Sequence, residues 1–326
     1  MMKWKTHKAA VTLSAVTLAA LSMPSVGQSY PARTIRFIVG YTPGGGTDIL
    51  ARLVAQKLTE SLGQQVIVDN RPGANSNLAA EIAAKAPPDG YTIFMISAGQ
   101  AINRALYRNL SYDLERDFAP LAAIGTVPHI IGVHPSLPVK TVADLVTLAK
   151  SRPGQVAFAS SGMGSPEHIA AEMFSAMAGT RLLHVQYKGG NPAAVAVVGG
   201  EVAVSFNGLP AALPFIKNGR MRCLAVASES RSTVLPDVPT VSQSGVPGYE
   251  ASVWYGAVAP GNTPREVVSR LNSEINRIIN LPDVKERLAL LGADPMGGTP
   301  EAFGTHIRTS IARFVKVVKD ANIQVE

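Results

Sequence analysis

Residues 37–58 of the chain read FIVGYTPGGGTDILARLVAQKL. An apolar run from Phe37 fits a buried strand, the segment Tyr41 to Gly46 breaks it, and apolar residues then return at helical spacing. Thr47 is predicted to be the N-cap of this helix, and Asp48 suits its first turn. One apolar face is formed by Leu50, Leu53, Val54, Leu58 and Leu62. A strand, a glycine turn and a helix in this order begin a βαβ unit.

The glycine turn is a candidate binding loop. Glycines adopt positive φ and let a ligand approach the backbone, while the first N–H groups of a helix have no intrahelical partner. Such a helix start attracts an anion, although a glycine turn taken alone is more often a structural turn that binds nothing. The candidate residues of this loop are Tyr41, Thr42, Gly44, Gly45, Gly46, Thr47 and Asp48.

A second stretch, FASSGMGSPEHIAAEMF at residues 158–174, repeats the design. A strand is predicted to end at Ala159, a glycine loop follows, and Ser165 caps a helix that has Pro166 at its first position. Thr263 and Thr299 also precede a proline at predicted helix starts, but neither follows a strand and a glycine loop. His168 could bind a ligand or support the loop, and the same two interpretations stay open for His129, His134 and His184.

Along the chain, short strand patterns alternate with helical ones, which predicts parallel α/β architecture in two lobes. The stretch at residues 118–139 interrupts the alternation and is a candidate crossing between lobes; a Pro-rich connection at residues 235–250 precedes a last long strand and helices only. We expect domain 1 to comprise residues 28–129 and 255–326, and domain 2 residues 130–254. Ligands of such folds lie in the crevice at the carboxyl ends of the strands.

The N-terminus predicts export. Lys3, Lys5 and Lys8 precede an apolar run of roughly 15 residues, shorter than the about 20 that a membrane anchor needs. A signal peptide at residues 1–27, cleaved after about Gly27, would leave a periplasmic protein that is not embedded in the membrane. The net charge of +7 less those three lysines leaves +4, scattered without a basic run, which excludes a nucleic-acid footprint. The single cysteine, Cys223, cannot form an internal disulfide.

Other functional classes fit the sequence poorly. Gly44, Gly46 and Asp69 partly match a dinucleotide fingerprint, but Ile49 stands where its third glycine would be. The chain has no GxxxxGK[ST] loop, no GxSxG elbow, no HExxH pair and no Cys/His cluster at metal-ligand spacing. The sequence therefore favours binding over catalysis, with no cofactor and no metal.

Several motifs, taken together and in order, resemble one family. They are YPARTIRFIVGYTPGGGTDILARLVAQKL, VDNRPGA, PPDGYTIF, SSGMGSPEHIAAEMF, QYKGGNPA, RCLAVAS and WYGAVAPGNTP. They cover essentially the whole chain after the signal and are similar to the Bug family, the periplasmic substrate-binding receptors of tripartite tricarboxylate transporters.

This resemblance implies a two-domain, type II-like Venus flytrap in which each domain is a mostly parallel sheet flanked by helices, with two hinge crossings. It implies a small carboxylate bound between Tyr41 to Asp48 and Ser160 to Ser165, and membrane transporter subunits as partners of a monomer. The expected contacts in the second loop and at other strand ends are Ser160, Ser161, Gly162, Gly164, Ser165, His168, Asn77, Ser97, Gln100, Tyr187, Phe206 and Asn207.

One departure concerns the turn at Gly73 to Asn77, which reads GANSN where the family usually has a glycine-rich turn. The sequence does not decide among amino acids, aromatic acids and di- or tricarboxylates. A sensor that signals to a partner and, less favoured, an exported enzyme acting on a small acid are the alternative functions.

Overall fold

The computed structural model of the chain describes residues 1–2, 30–107 and 109–320. The predicted signal peptide therefore lies outside the described residues except for its first two. Among the helices that are described, none is long and apolar enough to cross a membrane.

Strands and helices alternate through most of the described chain. The strands are β1 (Ile35–Val39), β2 (Val66–Asn70), β3 (Thr92–Ser97), β4 (Phe118–Pro128), β5 (Ile130–Val133), β6 (Ala157–Ser160), β7 (Leu183–Gln186), β8 (Val204–Ser205), β9 (Arg222–Val226), β10 (Ser252–Pro260) and β11 (Asp294–Pro295). The helices are α1 (Gly46–Leu62), α2 (Asn77–Ala84), α3 (Ala98–Leu106), α4 (Val142–Ser151), α5 (Pro166–Ala178), α6 (Gly190–Val198), α7 (Leu209–Lys217), α8 (Arg265–Ile279), α9 (Pro282–Leu290) and α10 (Pro300–Asp320).

The strands form two sheets, and each is the basis of one lobe. The first lobe contains a six-stranded sheet in the order β11-β4-β10-β3-β1-β2, and the second a five-stranded sheet in the order β7-β6-β8-β5-β9. Strand β1 is parallel to β2 and β3, and β6 is parallel to β7 and β8, as expected for βαβ units. Both sheets are mixed, because β10 runs antiparallel to β3 and β4, and β5 runs antiparallel to β8 and β9.

The crossing segment at residues 118–139 is more regular than its turn-rich sequence suggested. It consists of β4 in the first sheet and β5 in the second, joined at His129. Strand β10 then belongs to the first sheet, against which the closing helices α8 and α10 pack. The domain boundaries at 129/130 and 254/255 stay a prediction.

Burial explains why α1 forms beside β1. Strand β1 reads IRFIV and buries almost every residue, as a strand covered on both faces should. On α1, Leu50, Val54 and Leu58 are at most 1% exposed, and each such side chain stabilises the fold by about 1.5–3 kcal/mol when buried. The helix ends where Gly63 adopts the left-handed conformation.

Candidate functional site

A cavity lies between the two lobes, where the carboxyl ends of their central strands face each other. Its lining, drawn from both lobes, comprises Tyr41, Gly45, Gly46, Thr47, Ser97, Ser161, Pro166, Glu167, Gly190, Gly208, Ala211, Val253 and Tyr255. The walls enclose about 390 Å³ measured out to the solvent at the mouth, but the centre of a water molecule fits into only about 20 Å³ of that space. Little free space is left between the lobes at this cavity.

Five helices begin at this cavity. The starts of α1, α3, α5, α6 and α7 contribute Gly46, Ser97, Pro166, Gly190 and Gly208, either as N-cap or as first helical residue. Each start carries the positive end of a helix dipole, and the first-turn N–H groups that no cap occupies can bind a ligand. None of the described residues that line the cavity is a lysine or arginine. The arrangement suits an anion held by backbone amides.

Helix α1 begins two residues earlier than the sequence predicted. Thr47 was predicted as the N-cap, and this is wrong: Gly45 is the N-cap, has no side-chain cap, and the helix begins at Gly46. The Thr47 side chain instead hydrogen-bonds the Tyr255 hydroxyl on β10. The same kind of prediction for Thr263 is wrong as well, because α8 is capped by Pro264 without a side-chain bond.

Asp48 braces its own loop. Its carboxylate accepts from the Gly44 N–H and the Arg52 Nε, both at 2.9 Å, and from the Asn70 Nδ2, also at 2.9 Å. Asn70 Nδ2 also donates to the Tyr41 carbonyl at 2.9 Å. The buried negative charge is therefore satisfied within the first lobe, which fixes the glycine turn.

The second loop, Ser160 to Ser165, is held by its own side chains. Ser165 caps α5, as predicted, by accepting from the His168 N–H at 3.2 Å. The Gly164 N–H donates to the His168 Nδ1 at 3.0 Å, and the Gly162 N–H donates to the Ser160 Oγ at 3.1 Å. In the structure His168 supports the loop.

Two stacked histidines lie under this loop. The rings of His168 and His184 are 4.0 Å apart, and the His184 ring lies 5.0 Å from that of Phe158. The His184 Nε2 is 2.6 Å from the Ser160 Oγ. Burial, and then the proximity of His168, lower the pKa of His184 to about 3, so the ring is neutral at ordinary pH.

Glu167 is the only acidic residue among the described residues that line the cavity. Its carboxylate accepts a short hydrogen bond from the Ser161 hydroxyl. Burial raises the pKa of the Tyr41 and Tyr255 hydroxyls, and the Glu167 charge raises both further. Glu167 therefore places a negative charge beside the two phenols that line the cavity.

Several predicted residues lie next to the cavity without lining it. Gly162 and Tyr187 line a neighbouring cavity, whose walls enclose about 860 Å³ by the same measure, together with Tyr41, Ser161 and the turn at residues 73–76. Thr42 donates its N–H to the Lys188 carbonyl across the lobes at 3.4 Å. A Cβ on Gly44 would contact the Asn191 side chain at 3.1 Å. These residues form the closed contact between lobes.

Three other predicted residues, Asn77, Gln100 and Phe206, make contacts within their own lobe. Asn77 accepts from Asn103 and Tyr112 within the first lobe, and Gln100 accepts from the Ser97 N–H in the capping box of α3. The Phe206 ring packs on Phe158 and Phe174 in the second core. Asn207 is fully buried, and its amide nitrogen and oxygen have no partner among the described residues.

The start of α6, Glu167 and Tyr255 were not predicted as parts of the site from the sequence. A Cβ on Gly45 would lie 3.7 Å from the Gly190 N, so the two helix starts face each other across the lobes. The signal was present, since KGGNP at residues 188–192 follows a strand and opens a helix like the two loops that were recognised. No pattern in the sequence pointed to Tyr255, whose position depends on the pairing of β10.

The family model for "Tripartite tricarboxylate transporter family receptor" matches residues 50–323. The chain is 36% identical over 313 residues to protein BugT of Bordetella pertussis, which covers 95% of this chain and 96% of that protein.

Solved structures show the same fold. One is "R. palustris Rpa4515 with adipate", with a TM-score of 0.89 and 39% identity over 90% of this chain and 99% of that one. Another is "MatC (Rpa3494) from Rhodopseudomonas palustris with bound malate", with a TM-score of 0.85 and 30% identity over 89% of this chain and 100% of that one. The resemblance and the two-domain fold class deduced from the motifs are confirmed, and the chain belongs to the family of tripartite tricarboxylate transporter receptors.

Proposed function

We propose that this protein is an extracytoplasmic solute receptor that binds a small carboxylate between its lobes and delivers it to a tripartite tricarboxylate-type membrane transporter. The observation that carries the proposal is the convergence of five helix starts on one interlobe cavity. Each oriented helix end favours an anion by about 0.3–2 kcal/mol. Their sum can hold a carboxylate without a basic side chain.

Ligands named for the similar structures support this class. Adipate and malate, which are bound in those structures, are small carboxylates. The candidate contacts proposed for this chain are the backbone and side chains of the two loops, Tyr41 to Asp48 and Ser160 to Ser165, extended by the start of α6.

We further propose that the cavity binds and does not convert its ligand. The Asp48 carboxylate already accepts hydrogen bonds from Gly44 and Asn70 within its own lobe. His168 and His184 stack on each other beneath the second loop. Within the described chain, no group of three or more His, Cys, Asp or Glu side chains could hold a metal ion. Incubation of the purified protein with its bound acid should leave the acid unchanged; repeated turnover into product would contradict a receptor.

We place the mature protein in the periplasm as a monomer that starts near Gln28, because the family members are periplasmic receptors and the N-terminal sequence has the form of an export signal. Intact-mass measurement of the exported protein tests the cleavage. A mass that includes residues 1–27 would contradict it.

The ligand itself gives the sharpest test of the proposed function. Protein purified without added ligand should release a small carboxylic acid on denaturation, which mass spectrometry identifies, and the refolded protein should bind that acid again in calorimetric titration. If no carboxylate is released and none of a panel of amino, aromatic, di- and tricarboxylic acids binds, the proposed function is wrong.

A further inference from the structure

We propose that the carboxylate bound by this receptor also carries a protonated amine, and that Glu167 and Asn207 recognise the amine. The inference rests on the proposed function and names the ligand class within it: an amino acid-type zwitterion in preference to a dicarboxylate.

Glu167 is the first part of the argument. The helix starts favour an anion in the cavity. The Glu167 carboxylate lines the same space, and its negative charge favours a cation. No lysine or arginine among the described lining residues neutralises it. Ser161 donates one hydrogen bond to its Oε2. The carboxylate can therefore accept further hydrogen bonds from a ligand at Oε1.

Asn207 supplies the second, independent observation. Its side chain is fully buried, and both polar atoms lack a partner in the described structure, which is costly unless something else satisfies them. A Cβ on Gly190, which lines the cavity, would be 3.6 Å from the Glu167 Oε1 and 3.8 Å from the Asn207 Oδ1. The Glu167 and Asn207 side-chain oxygens thus both lie near Gly190 at the cavity wall.

An ammonium group fits this point better than other ligand groups do. It carries three donors and a positive charge, so it can bond both oxygens and pair with the Glu167 carboxylate. A second carboxylate at the same place would face a like charge and offer no donor. The carboxylate of the ligand would then lie toward Gly45, Gly46 and Ser97, where the starts of α1 and α3 supply N–H groups.

Matched ligand pairs that differ in the amine test the inference. The probes are alanine and propionate, aspartate and succinate, glutamate and glutarate, and 2-aminoadipate and adipate, each titrated calorimetrically near neutral pH against wild type and Glu167→Gln. The wild type should bind the amine-bearing member of its best pair about tenfold or more tightly. Glu167→Gln, which keeps the shape and the bond from Ser161, should lose most of that preference.

Glu266→Gln is the matched control. Glu266 occupies the same second position of helix α8 that Glu167 occupies in α5, but it is exposed and outside the cavity. This variant should keep the wild-type preference. Malate serves as a further probe, because its hydroxyl offers a donor without a charge, and it should bind more weakly than aspartate.

Three results would overturn the inference: dicarboxylates bound as tightly as their amino partners by the wild type, malate bound as tightly as aspartate, or an unchanged preference in Glu167→Gln. Failure of every amine-bearing probe to bind would overturn it too. The proposed function fails separately, only when no carboxylate of any kind is bound or released.

Discussion

At the scale of single residues, the turn before α2 places three consecutive non-glycine residues at positive φ. Ala74, Asn75 and Ser76 have φ of 45°, 48° and 69°. Two side-chain hydrogen bonds stabilise Asn75 in this conformation. Its Oδ1 accepts from the Tyr41 hydroxyl and its Nδ2 donates to the Asn103 Oδ1, both at 2.7 Å. The Ser76 side chain fills the place that a Cβ on Gly40 would take. The departure from a glycine-rich turn thus orients Tyr41, which lines the cavity.

Ala74 has no polar side chain to offset its left-handed conformation. Replacing it with glycine removes a strain of about 1–2 kcal/mol and adds unfolded-state entropy worth about 0.4–1 kcal/mol, so Ala74→Gly should raise the free energy of unfolding slightly. Ala143→Gly, in the exposed right-handed backbone of α4, should instead lower it by about 1 kcal/mol. Urea unfolding measures both. A destabilised Ala74→Gly variant would show that the strain argument is wrong.

His184 makes stability depend on pH. Its pKa in the folded protein is about 3, below the about 6.5 of an unfolded chain. The unfolded state therefore takes up this proton first, and the stability present above about pH 6.5 is lost progressively as pH falls toward about 3. In urea unfolding at several pH values, the stability of His184→Asn should fall less steeply with acid than that of the wild type. Parallel pH profiles of the two proteins would argue against this assignment.

At the scale of elements, α5 connects helix capping to binding. Ser165 caps the helix whose first turn carries Glu167 into the cavity and whose His168 holds Gly164. The loop also packs closely on the other lobe, since a Cβ on Gly164 would lie 2.8 Å from the Leu106 Cδ1. We therefore expect a less stable start of α5 to weaken ligand binding.

Ser165→Ala should lower the free energy of unfolding by about 0.5–2 kcal/mol and weaken binding of the copurified carboxylate by a similar amount. Thr141→Ala is the control, because Thr141 caps α4 in the same way on an exposed surface away from the cavity. It should lose comparable stability and keep its affinity. Equal affinities for both variants would mean that the Ser165 loop is only a turn.

Much of the element order was predictable, because hydrophobic periodicity and cap residues are local signals. Ser165 shows this, since a serine before a proline caps its helix as expected. Thr47 shows the limit: its hydroxyl bonds Tyr255, more than 200 residues along the chain, and a tertiary contact of this kind leaves no local pattern. Strands β4 and β5 were not predicted for the same reason, because the strands with which they pair lie far away in sequence.

At the scale of the whole molecule, the site is built from both lobes, which contact each other around it. The start of α1 faces the start of α6, and the Thr42 N–H bonds the Lys188 carbonyl across the gap. Each lobe alone holds part of the contacts, so ligand binding must favour the closed arrangement.

Gly45 offers a way to block closure. Its φ of −80° is accessible to any residue, and a Cβ there would lie 3.7 Å from the Gly190 N, an ordinary contact distance. The Gly45→Ala protein should therefore close and bind ligand almost normally. The longer side chain in Gly45→Leu should clash with the start of α6 and prevent closure. In solution scattering with ligand, wild type and Gly45→Ala should become more compact and Gly45→Leu should not. Compaction of Gly45→Leu with wild-type affinity would contradict the clamp.

The most direct test of a carboxylate held by helix starts from two lobes is a crystal structure of the protein with its copurified acid. We expect the carboxylate oxygens within hydrogen-bonding distance, about 2.7–3.2 Å, of backbone N–H groups at the start of α1 and at a helix start of the second lobe. We expect no contact between that carboxylate and a lysine or arginine. A ligand bound to one lobe alone, or a carboxylate paired with a basic side chain, would contradict the account.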